Sequence, residues 1–215
     1  MTVNDAKTQL LCISGNTDND INSYIRIDET TEINGGEELK LLGFWFGRRP
    51  NADVHVSKLC NKFRTRLWAL RHLKRSGMDE SDLKAIYMAV LRPVLDFASP
   101  TYHPLLTKTQ SDKLEALQKR ASKIIYGVER SYSSVLESGD LEALADRRKK
   151  LCLNFAKTAA SSERFGSLWF PRKDQTGHNT QRPEVYVEEK VRTERMKKNP
   201  LNYMRHELNK LHYLY

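Results

Sequence analysis

Asp18 and Asp20 are the nearest this chain comes to a paired carboxylate site of the kind that holds metal ions for phosphoryl transfer. They sit in Gly15-Asn16-Thr17-Asp18-Asn19-Asp20, whose composition is that of a polar turn, so turn chemistry is the better reading. The histidines, His55, His72, His103, His178, His206 and His212, show neither HExxH nor zinc-finger spacing. The cysteines, Cys12, Cys60 and Cys152, are odd in number and far apart, which supports no disulfide framework and no CxxC metal site. Gly35-Gly36 lacks the context of a phosphate-binding loop, and neither Ser14-Gly15 nor Ser138-Gly139 completes a nucleophile elbow. No catalytic residue, metal ligand or resident cofactor is therefore assigned.

The spacing that does suggest chemistry is basic. Arg48, Arg49, Lys58, Lys62, Arg64, Arg66, Arg71, Lys74 and Arg75 stand against one acid, Asp53, in residues 48–75. Phe44, Trp45, Phe46, Phe63 and Trp68 are interleaved with them. Cations beside aromatic platforms suit phosphate backbones and stacked bases. The competing reading is an amphipathic helix with Phe63 and Trp68 in its core and its cations on a solvated face. Residues 1–40 have the opposite balance, eight acids against Lys7, Arg26 and Lys40.

The elements that must position these residues follow from periodicity. Gln9–Ser14, Tyr24–Asp28 and Leu41–Phe46 read as short strands, with Asn34-Gly35-Gly36 as a turn. From Asp53, a plausible N-cap, the period becomes helical through Val56, Cys60, Phe63, Leu67 and Leu70, and Gly77 ends that helix. A second helix starts near Asp79 or Ser81, carries Leu83, Ile86, Tyr87, Val90 and Leu91, and ends or kinks at Pro93. A third covers 108–126, with Gly127 just beyond it. A fourth is capped by Asp140 and has Leu141, Leu144, Leu151, Cys152 and Phe155 as its apolar stripe. Residues 172–184 read as an irregular linker, and Leu201, Met204, Leu208 and Leu211 as a terminal helix.

The chain has 215 residues and a net charge of +9, with 39% apolar and 29% charged residues, which indicates a folded protein with a charged surface. No apolar run in it is long enough to span a membrane, and from the composition of Met1–Asp5 no secretory signal is expected. A reducing intracellular compartment, nucleus or cytoplasm, is expected.

Several segments in order resemble the reverse transcriptases of non-LTR (LINE-type, jockey-like) retrotransposons. Asn4-Asp5-Ala6-Lys7-Thr8 resembles the N-x-x-K-T motif that follows the catalytic YxDD hairpin in that family. Leu41-Leu42-Gly43-Phe44 resembles its primer grip, and Val56–Arg75 with Asp82–Tyr87 its thumb. Leu91-Arg92-Pro93-Val94-Leu95-Asp96-Phe97-Ala98-Ser99-Pro100 resembles R-P-x-x-x-[YF]-A-S-P, with Tyr102 where tryptophan is usual. Leu114-Glu115-Ala116-Leu117-Gln118-Lys119-Arg120-Ala121 resembles the L-E-x-x-Q-K-R-A helix, and Leu144–Arg148 continues the match. The likeness covers about 1–170.

The resemblance implies an α+β, mostly α fold. A β remnant of palm and primer grip over 1–47 would precede thumb-like basic helices over 48–105. A helical region over 106–170 and a charged linker with terminal helix over 171–215 would follow. It implies Asn4, Lys7 and Thr8 as residues flanking an active site, Leu42, Gly43 and Phe44 as primer-grip residues, and the nine cations as contacts to RNA and DNA primer–template. The YxDD aspartates, fingers, endonuclease and zinc knuckle of relatives are not found in this sequence. Polymerisation and its Mg2+ are expected only of a longer enzyme, with which this chain could pair. The alternatives are a helical protein-interaction module and a translated remnant without function. Phe44, Trp45 and Phe46 are expected to form an exposed apolar patch once palm elements are absent.

Overall fold

Helices dominate the computed structural model, which describes residues 8–13, 24–26, 32–173 and 185–212. Two short antiparallel strand pairs precede them, so the fold is α+β and predominantly α. The chain divides into two compact units, residues 1–65 and 66–215.

In the first unit, β1 (Tyr24–Arg26) pairs with β2 (Glu32–Asn34), and β3 (Glu38–Leu41) pairs with β4 (Phe44–Gly47). Leu41–Phe46 was expected to be one strand. It is instead the tip of a hairpin, because Leu42 and Gly43 both take positive φ, 49° and 85°. Two-residue hairpin loops need that left-handed geometry to match the twist of their strands. Asn34-Gly35-Gly36 is not a hairpin turn. β2 is already paired with β1, and Gly35 forms an isolated bridge with Leu10, the only bridged residue of the described run 8–13. The rest of the expected strand Tyr24–Asp28 and the Gly15–Asp20 turn lie outside the described residues.

Helix α1 (Asp53–Arg75) crosses from the first unit to the second. Its cap lies earlier than expected. Asn51 Oδ1 accepts the Asp53 N–H at 3.1 Å, and Ala52 accepts the Val56 N–H, so Asp53 is the first helical residue. Gly47 allows β4 to meet this helix, since a Cβ there would lie 2.6 Å from a Val54 methyl. The expected stripe is buried: Val56, Cys60, Phe63, Leu67 and Leu70. Gly77, at φ 85°, ends the helix in a Schellman motif, with Met78 N–H on the Leu73 carbonyl and Gly77 N–H on that of Lys74.

In the second unit, Asp79 caps α2 (Glu80–Ile86), accepting the Asp82 N–H at 2.8 Å. Pro93 does not end the helical run, which continues to Asp96. A π-helical turn, Tyr87–Leu91, widens the ladder before α3 (Arg92–Asp96), and the Arg92 N–H reaches the Tyr87 carbonyl. The wider turn rotates Val90 out of the expected stripe, leaving it exposed. Helix α4 (Ser99–Tyr102) and a 3-10 turn, His103–Leu105, lead to α5 (Lys108–Tyr126). The bounds of α5 are those expected. Thr107 and Gln110 form its capping box, and Gly127 follows it at φ 86°.

Helix α6 (Tyr132–Glu137), capped by Ser131, was not anticipated. Asp140 does not cap the next helix, because α7 (Leu144–Ala160) starts four residues later. Its stripe is also narrower than expected. Leu144 and Cys152 are buried, Leu151 is half-buried and Phe155 is exposed. Helix α7 contacts α4, α5, α8 (Gly166–Trp169) and α10 (Pro200–His212). Gly166 lets α8 close on α7, since a Cβ would stand 2.7 Å from the Ala160 carbonyl oxygen. The short α9 (Glu194–Lys197) precedes α10.

The terminal helix docks as its apolar spacing predicted. Met204 and Leu208 pack with Ala156, Ala159, Phe170 and Tyr186. Asn209 grips the Tyr186 backbone twice, at 2.9 and 3.0 Å. Residues 171–173 and 185–187 run antiparallel through the Arg172–Tyr186 bridge. The rest of the expected linker, 174–184, lies outside the described residues. Among the described residues no helix is long and apolar enough to cross a membrane.

Candidate nucleic-acid interface

The nine cations of 48–75 fall into two groups once their surroundings are known. In the first unit Arg48 pairs with Glu37 at 3.0 Å, and Lys58 with Glu38 at 2.6 Å. The Lys58 ammonium also lies 4.6 Å from the centroid of the Trp45 ring. In the second unit the Arg66 guanidinium donates to the Val90 carbonyl, inside the π turn. Lys74 Nζ donates to the Ile125 carbonyl at 3.1 Å, at the open C-terminal end of α5. These four side chains have structural partners. Arg64 is exposed and, among the described residues, makes only a helix-surface bond to Asn61. Arg49, Lys62, Arg71 and Arg75 are exposed and carry no ion pair among the described residues.

From Val54 to Arg75, α1 contains no acidic residue. Its free cations therefore face solvent without an anion on their own helix, which concentrates positive potential there. Phe63 is fully buried, but Trp68 is 61% exposed, with its ring against His72 at a centroid distance of 4.0 Å. The amphipathic-helix reading therefore holds for Phe63 and not for Trp68. It follows the buried Leu67, and one residue turns the side chain about 100° around the helix.

The primer-grip-like residues divide as well. Leu42 is 91% exposed at the hairpin tip beside Gly43, whereas Phe44 is buried. Phe44 stacks on His55 at 4.1 Å and meets Phe46 at 4.8 Å, and Trp45 is half-buried. The expected exposed patch is thus largely covered within the first unit. Thr8 is exposed, while Asn4 and Lys7 lie outside the described residues.

The remaining motif residues form internal ties of the second unit. Asp96 receives Arg147 Nε at 2.8 Å and lies 3.7 Å from Arg92 Nε. Gln118 joins the Tyr87 and Tyr132 hydroxyls and donates to the Glu142 carbonyl at 2.8 Å. Glu115 accepts from Tyr132 and from the Leu144 N–H, at 3.1 Å, and so caps α7 from another helix. Arg148 is fully buried and donates to Ser111 Oγ at 2.8 Å. Asp140 takes hydrogen bonds from Lys84, Ser138 and Arg130, which hold its carboxyl well below the usual range.

Among the described residues no group of three or more His, Cys, Asp or Glu side chains is placed to hold a metal ion. Comparison with known proteins returns no match to the chain from a family model, a curated protein or a solved structure.

Proposed function

We propose that this chain binds the sugar–phosphate backbone of an RNA–DNA primer–template, as the thumb-like part of a non-LTR retrotransposon reverse transcriptase. Nucleic acid is the partner class, and an intracellular compartment, nucleus or cytoplasm, fits that partner. Helix α1 is the thumb-like element, and binding rather than nucleotide transfer is the activity assigned to the chain. The observation that carries this reading is the acid-free run Val54–Arg75 with Lys62, Arg64, Arg71 and Arg75 exposed. Phosphate contacts of this kind act by releasing counterions, so they give affinity without sequence preference. The ordered likeness of the N-x-x-K-T, R-P and Q-K-R-A segments supports the family.

The test is fluorescence anisotropy of the full chain on a labelled RNA–DNA primer–template, titrated with salt. Log affinity should fall against log salt by about 0.9 per phosphate neutralised. Replacing Lys62, Arg71 and Arg75 together with glutamine should flatten that slope by about 3, roughly one for each cation removed. Arg66 and Lys74 are left alone because their partners are structural. An unchanged slope and affinity in the triple variant would remove α1 from the interface. No binding by a folded chain at low salt would turn attention to a protein partner.

A further inference from the structure

Trp68 is the most exposed aromatic side chain among the described residues. A tryptophan indole in water leaves a large apolar surface uncovered, so its surroundings indicate what could cover it. One turn on, His72 lies against the ring at a tilt of 57°. That contact limits the rotamers of the ring from one side while most of it stays in solvent. Arg71 and Arg75 lie three and seven residues on, which places them along the same flank of α1. Both are exposed and without an ion pair among the described residues. All four residues belong to the second unit.

We infer that Trp68, Arg71 and Arg75 form a binding strip for single-stranded nucleic acid, in which an unpaired base stacks on the Trp68 indole. This rests on the nucleic-acid reading above and adds what that reading lacks, a preference for strand state. Two arginines spaced along the helix match successive phosphates of a strand running beside it, and charge complementarity selects a polyanion over an apolar protein surface. The indole selects unpaired bases. In a duplex each base face is already stacked, so the ring would find only groove edges and sugars. In a single strand or a template overhang a base face is free, and base–aromatic stacking needs no particular sequence.

The experiment compares a labelled oligothymidylate of about twelve nucleotides, within the site sizes usual for such surfaces, with a blunt duplex of equal length. Wild type, W68A, W68F and R71Q/R75Q are measured by anisotropy, with far-UV circular dichroism to verify the fold. W68A should weaken single-strand binding roughly tenfold, with duplex binding within about twofold and the salt slope unchanged. W68F should retain most of the single-strand affinity, because a phenyl ring still stacks. R71Q/R75Q should weaken both ligands and lower both slopes. Oligothymidylate should also quench a part of the tryptophan emission that W68F no longer shows. If W68A binds the single strand as wild type does, stacking at Trp68 is overturned while backbone binding stands. If wild type binds neither ligand, the nucleic-acid reading fails and the strip fails with it.

Discussion

His55 and His103 each give up charge to enter the fold. His55 is buried, stacks on Phe44, and accepts the Trp45 N–H at Nδ1 over 3.4 Å. Burial lowers its pKa from 6.5 to about 4. His103 is lowered to about 4 by burial first, and then by the charges of Arg148 and Lys149. Between those two pH values the unfolded chain binds a proton that the folded chain refuses. Stability therefore rises with pH in that window and is lost as pH falls from about 6.5 towards 4, by up to about 1.4 kcal/mol per pH unit for each histidine. Urea midpoints at pH 7 and pH 5 should differ accordingly, and H103Q should narrow the difference. An undiminished difference in H103Q would assign the acid limb to other groups. Residue-scale chemistry was only partly legible in the sequence. The density of cations in 48–75 was plain, but which of them remain free was not. Glu37 and Glu38 reach Arg48 and Lys58 only because β3 and β4 fold back on each other.

At the scale of elements, legibility tracked how local the determinants are. Helices α1, α5 and α10 carry apolar spacings of three and four, and Gly77 and Gly127 close the first two in sequence-local turns. The start of α7 is not legible locally because its cap is remote. Glu115 lies 29 residues before the Leu144 N–H it accepts, so no sequence window around Leu144 contains it. The π turn is illegible for a related reason, since Arg66 donates to the carbonyl of Val90, 24 residues on. Glu115→Ala should therefore fray the start of α7 and leave the Tyr132 hydroxyl without its acceptor. A loss of about 1–3 kcal/mol in urea unfolding is expected, with early amide exchange at residues 144–147. Stability and exchange matching wild type would show that the cap contributes nothing.

The whole molecule is two units of unequal character. The strands of the first are short and mostly exposed, while the second gathers α7, α8 and α10 around a packed core. Trp45 is the one tryptophan in the first unit, and Trp68 and Trp169 belong to the second. In a W68F/W169F background, Trp45 emission should change at lower urea than far-UV circular dichroism does. Superimposable curves would instead mean a single cooperative transition. The charge asymmetry read from the sequence is also a molecule-wide property. Acids of the first forty residues neutralise part of the basic block, and the uncompensated cations are concentrated further along α1.

The three thiols give each unit its own clock. Cys60 is buried in the first unit. Cys152 is buried in the second, where it donates to the Ser99 carbonyl and burial pushes its thiol up to about 12. A thiol so protonated is a poor nucleophile, so an alkylating agent reaches it only when the surrounding structure opens. Cys12, half-buried, is the first to meet the reagent. With Cys12 replaced by serine, the alkylation rate at Cys60 would count openings of the first unit, and that at Cys152 openings of the second, each under native conditions and without denaturant.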